Sequence, residues 1–121
     1  MSNNDQKDLK YWLAFSQFSK LGPLRFKKLI NHFPNLETAW QADFSELTKA
    51  GLDPNLVEEI ILRRKEIQPE KEQEKLEKEK IQAITVKDEN YPKLLKEIYD
   101  APPLLYFRGN LKNSEFTLAV V

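Results

Sequence analysis

The sequence is poor in the residues from which several kinds of functional site are built. It contains no cysteine, which excludes a disulfide framework, a thiolate metal site and a cysteine nucleophile, and which favours a cytosolic protein. Its glycines are few and far apart, at Gly22, Gly51 and Gly109, so it lacks the Gly-rich loop that cradles the phosphates of a nucleotide. The lone histidine, His32, has no cysteine or second histidine to share a metal ion with. We therefore predict no catalytic residue, no metal and no cofactor.

The chain also has no excess of charge and no long apolar run. Its 19 lysines and arginines balance its 19 aspartates and glutamates, so no overall field attracts it to nucleic acid or to an anionic membrane. Residues 1–10 lack the apolar stretch of a secretion signal, and no run is long enough to span a bilayer. We expect a cytoplasmic protein without a membrane partner, in which any binding of nucleic acid is local.

What the first half does contain is a series of short, well-punctuated helices. Residues 11–18 are apolar around nearly the whole helical circumference, which predicts a central, buried helix. A second helix follows, with an amphipathic stripe that ends before Pro34. Further on, Asn35, Asp43 and Asp53 are each placed to cap a helix, and we expect Phe44 and Leu47 to be buried. These helices predict an all-α domain over residues 1–68.

Two segments of this half resemble each other weakly. "SKLGPLRFKKLINHF" and "TKAGLDPNLVEEIILRR" each place a glycine between two helices, which predicts a tandem helix-hairpin-helix of the SAM-like type. Hairpins of this kind bind a DNA phosphate through backbone N–H groups, although Pro23 removes one such donor here. The alternative for the basic residues around the first hairpin is an ordinary solvated helix face. The candidate DNA-binding residues are Lys20, Gly22, Arg25, Lys27 and Lys28.

A charged segment then separates this half from a region of different periodicity. "PEKEQEKLEKEK" contains Leu76 as its single apolar residue, too little for a coiled-coil seam, and predicts a solvent-facing connector helix over residues 69–82. Pairs of Glu74 with Lys78 and of Glu77 with Lys80 are expected to support it. We place the domain boundary in this segment.

Strands alternate with a helix in the remaining region, residues 83–121. Residues 83–86, 103–107 and 116–121 predict strands, and residues 91–100 predict a short helix with Leu94, Leu95 and Ile98 on one side. The last strand, "FTLAVV", is apolar along its length and is expected to be covered on both faces, as in a parallel sheet. The pattern predicts the opening of a truncated α/β domain, so the fold class is α+β overall.

At this point the residues carry a resemblance. "NYPKLLKEIYDAPPLLYFRGNL" resembles the segment that opens the Rossmann-like domain of the DNA-processing protein A (DprA, or Smf) family, and the helical half is similar to that family's SAM-like domain. The family pattern is met by Tyr91, Pro92, Leu94, Leu95, Ile98, Asp100, Pro102, Pro103, Leu105, Tyr106, Gly109 and Leu111. These positions serve folding on the simplest interpretation, although Tyr91, Tyr106 and Phe107 are also candidates for stacking on bases.

The resemblance implies a cytosolic, non-enzymatic protein that binds single-stranded DNA. Members of the family protect incoming DNA during natural transformation and competence, help load the RecA-type recombinase in DNA recombination, and form homodimers through the Rossmann-like domain. The family's Gly-Ser-Arg phosphate-binding motif follows the strand that here is "LAVV", so we expect this chain to stop just before the principal DNA site. Two alternatives stay open: a helical protein-interaction module, and a truncated α/β nucleotide-using enzyme.

Overall fold

The computed structural model describes residues 3–108, with side chains from residue 8 onward. Helices and a small sheet both occur in this range, which confirms an α+β fold. The SAM-like and Rossmann-like assignments stay predictions. The elements are α1 (Asn3–Phe15), α2 (Gly22–His32), α3 (Leu36–Gln41), α4 (Phe44–Lys49), α5 (Pro54–Arg63), α6 (Pro69–Lys78), β1 (Gln82–Thr85), α7 (Lys93–Lys96) and β2 (Leu104–Phe107).

Helix α1 is the centre of the hydrophobic core, as its sequence predicts. Trp12 and Phe15 are 2% and 0% exposed, and their rings contact aromatic rings from two other helices. The ring centroids of Trp12 and Phe26 lie 5.3 Å apart, and Phe15 meets Trp40 edge-on at 5.0 Å. Because α1 is apolar almost all round, α2, α3 and α6 can pack against its different sides.

Two of the three predicted side-chain caps are formed. Asn35 accepts a hydrogen bond from the amide of Thr38, and Asp43 accepts one from the amide of Glu46. Asp53 does occupy the N-cap of α5, with Pro54 at the first helical position as predicted, but its carboxylate makes no capping hydrogen bond. Its backbone carbonyl accepts a hydrogen bond from the amide of Val57.

The short helix α4 contributes one residue to the core rather than two. Leu47 is fully buried, as predicted, whereas Phe44 is 42% exposed and the expectation for it was wrong. Phe44 stands at the first position of a six-residue helix, at the edge of the core, where its ring is not covered on all sides.

The charged helix α6 packs against α1 instead of standing free in solvent. Pro69 is buried, Leu76 lies against the main hydrophobic core, and the Lys10 ammonium is 3.7 Å from the Glu70 carboxylate. The intrahelical ion pair that forms joins Lys75 to Glu72 at 3.3 Å; among the described residues, the two pairs predicted from the sequence are not formed. The division at residues 68 and 82 stays a prediction.

The two strands pair antiparallel, with Ala83 opposite Tyr106 and Ile84 opposite Leu105. Alternation of helix and strand led us to expect the parallel sheet of an α/β domain. The described connection contains only the single-turn helix α7, which does not cover the sheet as the helix of a parallel crossover does. The predicted strand at residues 116–121 lies outside the described residues.

Helix α7 is also shorter than the predicted helix, and its apolar side does not form. Leu95 is partly buried, but Leu94 is 82% exposed and Ile98 is 48% exposed. The prediction for those two residues was wrong, because α7 ends at Lys96. Ile98 therefore lies beyond the helix and is not brought onto one helical face with Leu94, four positions before it.

The hairpin of β1 and β2 docks on the helical core by one face. Leu104 belongs to the main core and Tyr106 packs against it, while Leu105 and Phe107 point to a second, smaller cluster that includes Tyr91. This is the period-two alternation of a strand. No helix within residues 3–108 is both long and apolar enough to cross a membrane.

Candidate nucleic-acid interface

The turn between α1 and α2 presents an open backbone. Gly22 has φ of +56°, a left-handed conformation that a residue with a Cβ adopts at a cost. A Cβ added there would meet no atom within 4 Å, so the main chain at this turn is accessible. Leu21 occupies the N-cap of α2 without a side-chain hydrogen bond, and Pro23 stands in the first turn. The turn therefore offers space for a phosphate with a reduced set of N–H donors.

Three of the four predicted basic residues are engaged within the protein. The Lys20 ammonium is 3.8 Å from the Glu59 carboxylate, and the Arg25 guanidinium donates to the backbone carbonyl of Lys20 at 3.1 Å. Lys28 donates through Nζ to the carbonyl of Gly51 at 3.3 Å. Lys27 is the member of the predicted cluster for which the described residues supply no hydrogen-bond or ion-pair partner.

Lys28 connects the two turns that carry glycine. Gly51 has φ of +107°, and a Cβ added there would lie 3.1 Å from Cδ of Lys28. The lysine stem thus lies close against the backbone of the α4–α5 turn while its ammonium binds the carbonyl. This position fits a structural contact between the two halves of the helical region better than a contact with DNA.

Lys27 lines a groove between helix α2 and the segment that connects α7 to β2. The cavity has a volume of about 220 Å³. Its lining includes Lys27, Ile30 and Asn31 of α2, together with Lys96, Ile98, Tyr99, Ala101 and Pro103. We call this cavity the Lys27–Lys96 groove. The sequence places these two lysines about seventy positions apart, so their proximity could not be seen from it.

The aromatic side chain available in this groove is Tyr99. It is 79% exposed, whereas two of the three aromatics predicted as stacking candidates are buried: Tyr91 and Phe107 are each 3% exposed. Tyr106 is half-buried against the helical core, with its hydroxyl 3.4 Å from Oγ of Ser16. Sequence reasoning missed Tyr99 because it treated the residue as part of a packed helix.

Two residues of the family pattern, Ile98 and Pro103, line the groove. The Tyr91 hydroxyl donates to the carbonyl of Pro102 at 2.7 Å, and burial raises the pKa of this hydroxyl above its ordinary value. The amide of Val86 donates to the carbonyl of Pro103 at 2.9 Å. Pro92 precedes α7 as its N-cap, and Asp100 is exposed in the turn before the two prolines. Gly109 lies outside the described residues.

Arg64 has a role that the sequence did not indicate. Its guanidinium donates to the carbonyls of Trp40 at 2.8 Å and Ala42 at 2.6 Å. Desolvation by burial lowers the pKa of Arg64, and the nearby charge of Asp43 acts in the opposite direction. The guanidinium of its neighbour Arg63 lies 3.6 Å from the carboxylate of Glu59, one helical turn away.

A larger cavity, of about 510 Å³, lies between the end of α1, the start of α2 and β2. Its lining includes Phe15, Phe18 and Leu104 and contains no charged side chain; its polar side chains are Ser16, Gln17, Ser19 and Tyr106. This chemistry does not suit a phosphate.

Within residues 3–108 no group of three or more potential metal ligands occurs, and the imidazole of His32 is 3.9 Å from the carboxylate of Glu46.

Comparison with known proteins identifies the family. A family model described as "DNA recombination-mediator protein A" matches residues 82–121, which contain the segment whose pattern is described above. "Protein Smf" of Synechocystis sp. is 38% identical over 116 residues, or 95% of this chain. The chain belongs to the DNA-processing protein A (Smf) family.

This Smf-family chain covers 28% of the length of the Synechocystis relative. No solved structure matches it. The resemblance to this family inferred from the sequence is confirmed. The Lys27–Lys96 groove and the Gly22 turn are the two candidate nucleic-acid-binding sites within the described residues.

Proposed function

We propose that this chain is part of a DNA-processing protein that binds single-stranded DNA, protects incoming DNA in natural transformation and helps load a RecA-type recombinase. The observation that carries the proposal is the 38% identity to Protein Smf over nearly the whole chain. The structure adds an arrangement suited to single strands, since one groove is bordered by an exposed tyrosine and by two lysines that have no partner within residues 8–108. Such a combination of cations and a stacking ring is typical of proteins that hold single strands.

The proposed action is binding without catalysis, in the cytoplasm. The sequence has no Gly-rich phosphate loop, and its balanced charge favours a local contact with DNA over a general attraction. The recombinase partner and a homodimer are proposed for the whole family protein, since this chain covers only 28% of the length of the Synechocystis relative.

Fluorescence anisotropy with labelled oligothymidine tests this function. The same titration is made with this chain, with full-length Synechocystis Smf, and with a duplex of equal length as the competing ligand. We expect the chain to bind the single strand with a Kd in the non-specific range of about 10⁻⁴–10⁻⁶ M at physiological salt, and the full-length relative to bind it more tightly.

Two results would contradict the proposal. If neither protein binds the oligothymidine, single-strand binding is not a function of this family's proteins. If the 121-residue chain already binds with nanomolar affinity, the principal site lies within it rather than in the rest of the relative's length.

A further inference from the structure

We propose that the Lys27–Lys96 groove is itself a contact site for single-stranded DNA, in which one unstacked base lies on Tyr99 and the neighbouring phosphates lie on Lys27 and Lys96. This rests on the proposed function and assigns to it a specific site. The site is composite, because Lys27 belongs to α2 and the other two residues belong to α7 and the turn that follows it.

The charges of the groove fit a polyanion. Lys27 and Lys96 have no ion-pair or hydrogen-bond partner among the described residues, and no acidic side chain in the described part of the chain lines the cavity. Lys20 is different, since it is close to Glu59. An unpaired lysine can neutralise a phosphate, and so release the cations condensed on the DNA, without first breaking an internal ion pair.

The groove has the size and surface for one base at a time. Its volume of about 220 Å³ lies below the roughly 300–1,000 Å³ of cavities that enclose a drug-sized ligand, so a dinucleotide cofactor would not be enclosed. Tyr99 and Ile98, which are 79% and 48% exposed, provide an aromatic and an aliphatic surface at its edge. The side-chain amide of Asn31 adds a hydrogen-bond donor and an acceptor to the lining of the groove.

A base can reach Tyr99 only if its faces are free. In a duplex both faces are covered by neighbouring bases, whereas in a single strand a base can leave the stack at a small cost. Stacking on an aromatic ring tolerates every base, because each has a π-face. The groove is therefore expected to prefer single strands without reading their sequence.

The test is a titration of the ¹⁵N-labelled 121-residue chain with hexathymidylate, followed by amide chemical shifts. We expect the largest shifts at Lys27, Lys96 and Tyr99. The variant Tyr99→Leu should weaken binding about fivefold or more, because it removes the stacking ring. Tyr99→Phe keeps the ring and should bind as the unchanged chain does.

Lysine variants test the phosphate contacts separately. Lys96→Gln should reduce the slope of log K against log salt by about 0.7, the value expected for one phosphate contact to a single strand. The matched control is Lys78→Gln, which removes an exposed lysine at the end of α6 and should leave the slope unchanged. The same spectra report whether each variant is folded.

Three outcomes would overturn the inference while leaving the proposed function intact, provided that full-length Synechocystis Smf binds the oligothymidine. The first is that shifts concentrate at the Gly22 turn and Tyr99→Leu binds normally. The second is that inorganic phosphate alone produces the same shifts at the same affinity, which would indicate an anion site without stacking. The third is that this chain shows no shifts at all.

Discussion

The carboxylate of Asp8 makes three hydrogen bonds. We expect them to contribute several times more to the free energy of unfolding than the side chain of an ordinary surface residue does. It lies on α1, where Oδ2 accepts hydrogen bonds from Nε1 of Trp12 and from the amide of Leu36, both at 3.0 Å. Oδ1 accepts from the amide of Glu37 at 2.9 Å. A residue of the central helix therefore caps α3 together with Asn35, and at the same time satisfies the buried indole.

The magnitude follows from what Asp8→Ala leaves without a partner. Trp12 is 2% exposed, and a buried donor that loses its acceptor costs about 1–3 kcal/mol. Loss of a carboxylate from a helix N-terminus costs about 0.5–2 kcal/mol, and the Glu37 amide is exposed enough for water to replace part of it. We expect the free energy of unfolding to fall by about 2–4 kcal/mol.

Urea denaturation followed by tryptophan fluorescence measures this change, and the chain offers two matched controls. Asp43→Ala removes a cap with one hydrogen bond and should cost about 1 kcal/mol. Asp53→Ala removes a carboxylate at an N-cap position that makes no capping hydrogen bond and should change stability by less than about 0.5 kcal/mol. An Asp8→Ala loss as small as that of Asp53→Ala would refute the reasoning.

Three further predictions concern the other internal contacts. Arg64→Met should lower the free energy of unfolding by about 1–3 kcal/mol, because the carbonyl of Trp40 loses a charged donor; unchanged urea stability would show that water replaces the guanidinium. Gly22→Ala should cost about 1 kcal/mol through its positive φ alone, and a neutral result in the same titration would argue against the left-handed turn. Tyr91→Phe should cost about 1 kcal/mol at neutral pH through the lost bond to Pro102. Since burial raises the folded-state pKa of Tyr91, its hydroxyl stabilises fully below pH about 10 and progressively less above it, so the difference between the two proteins should shrink in denaturation curves taken at rising alkaline pH.

Local patterns predicted the helical half well because each rule involved residues close in sequence. The all-round apolar surface of α1, the stop at Pro34 and the caps at Asn35 and Asp43 all act within one or two helical turns. The cap by Asp8 could not be found in this way, since its acceptor atoms and the α3 amides are 28 and 29 positions apart.

The candidate site was harder to predict, because it depends on which charges find partners. The sequence gives no means of distinguishing Lys20, Lys27 and Lys28. In the folded chain, Lys20 forms an ion pair with Glu59, and Lys28 donates a hydrogen bond to the carbonyl of Gly51. Tyr99 is exposed because α7 ends after one turn, although the spacing of its leucines predicted a longer helix. Family recognition was less affected, since it depends on the order of residues rather than on their surroundings.

Single-strand binding at the groove is the central claim, and its salt dependence tests it most directly. Binding of labelled oligothymidine is measured between about 50 and about 200 mM salt for the unchanged chain and for the double variant Lys27→Gln, Lys96→Gln. Two phosphate contacts predict a slope of about −1.4, equal to about a sevenfold loss of affinity across this range, and the double variant should lose nearly all of that dependence. Equal slopes for the two proteins would contradict the account.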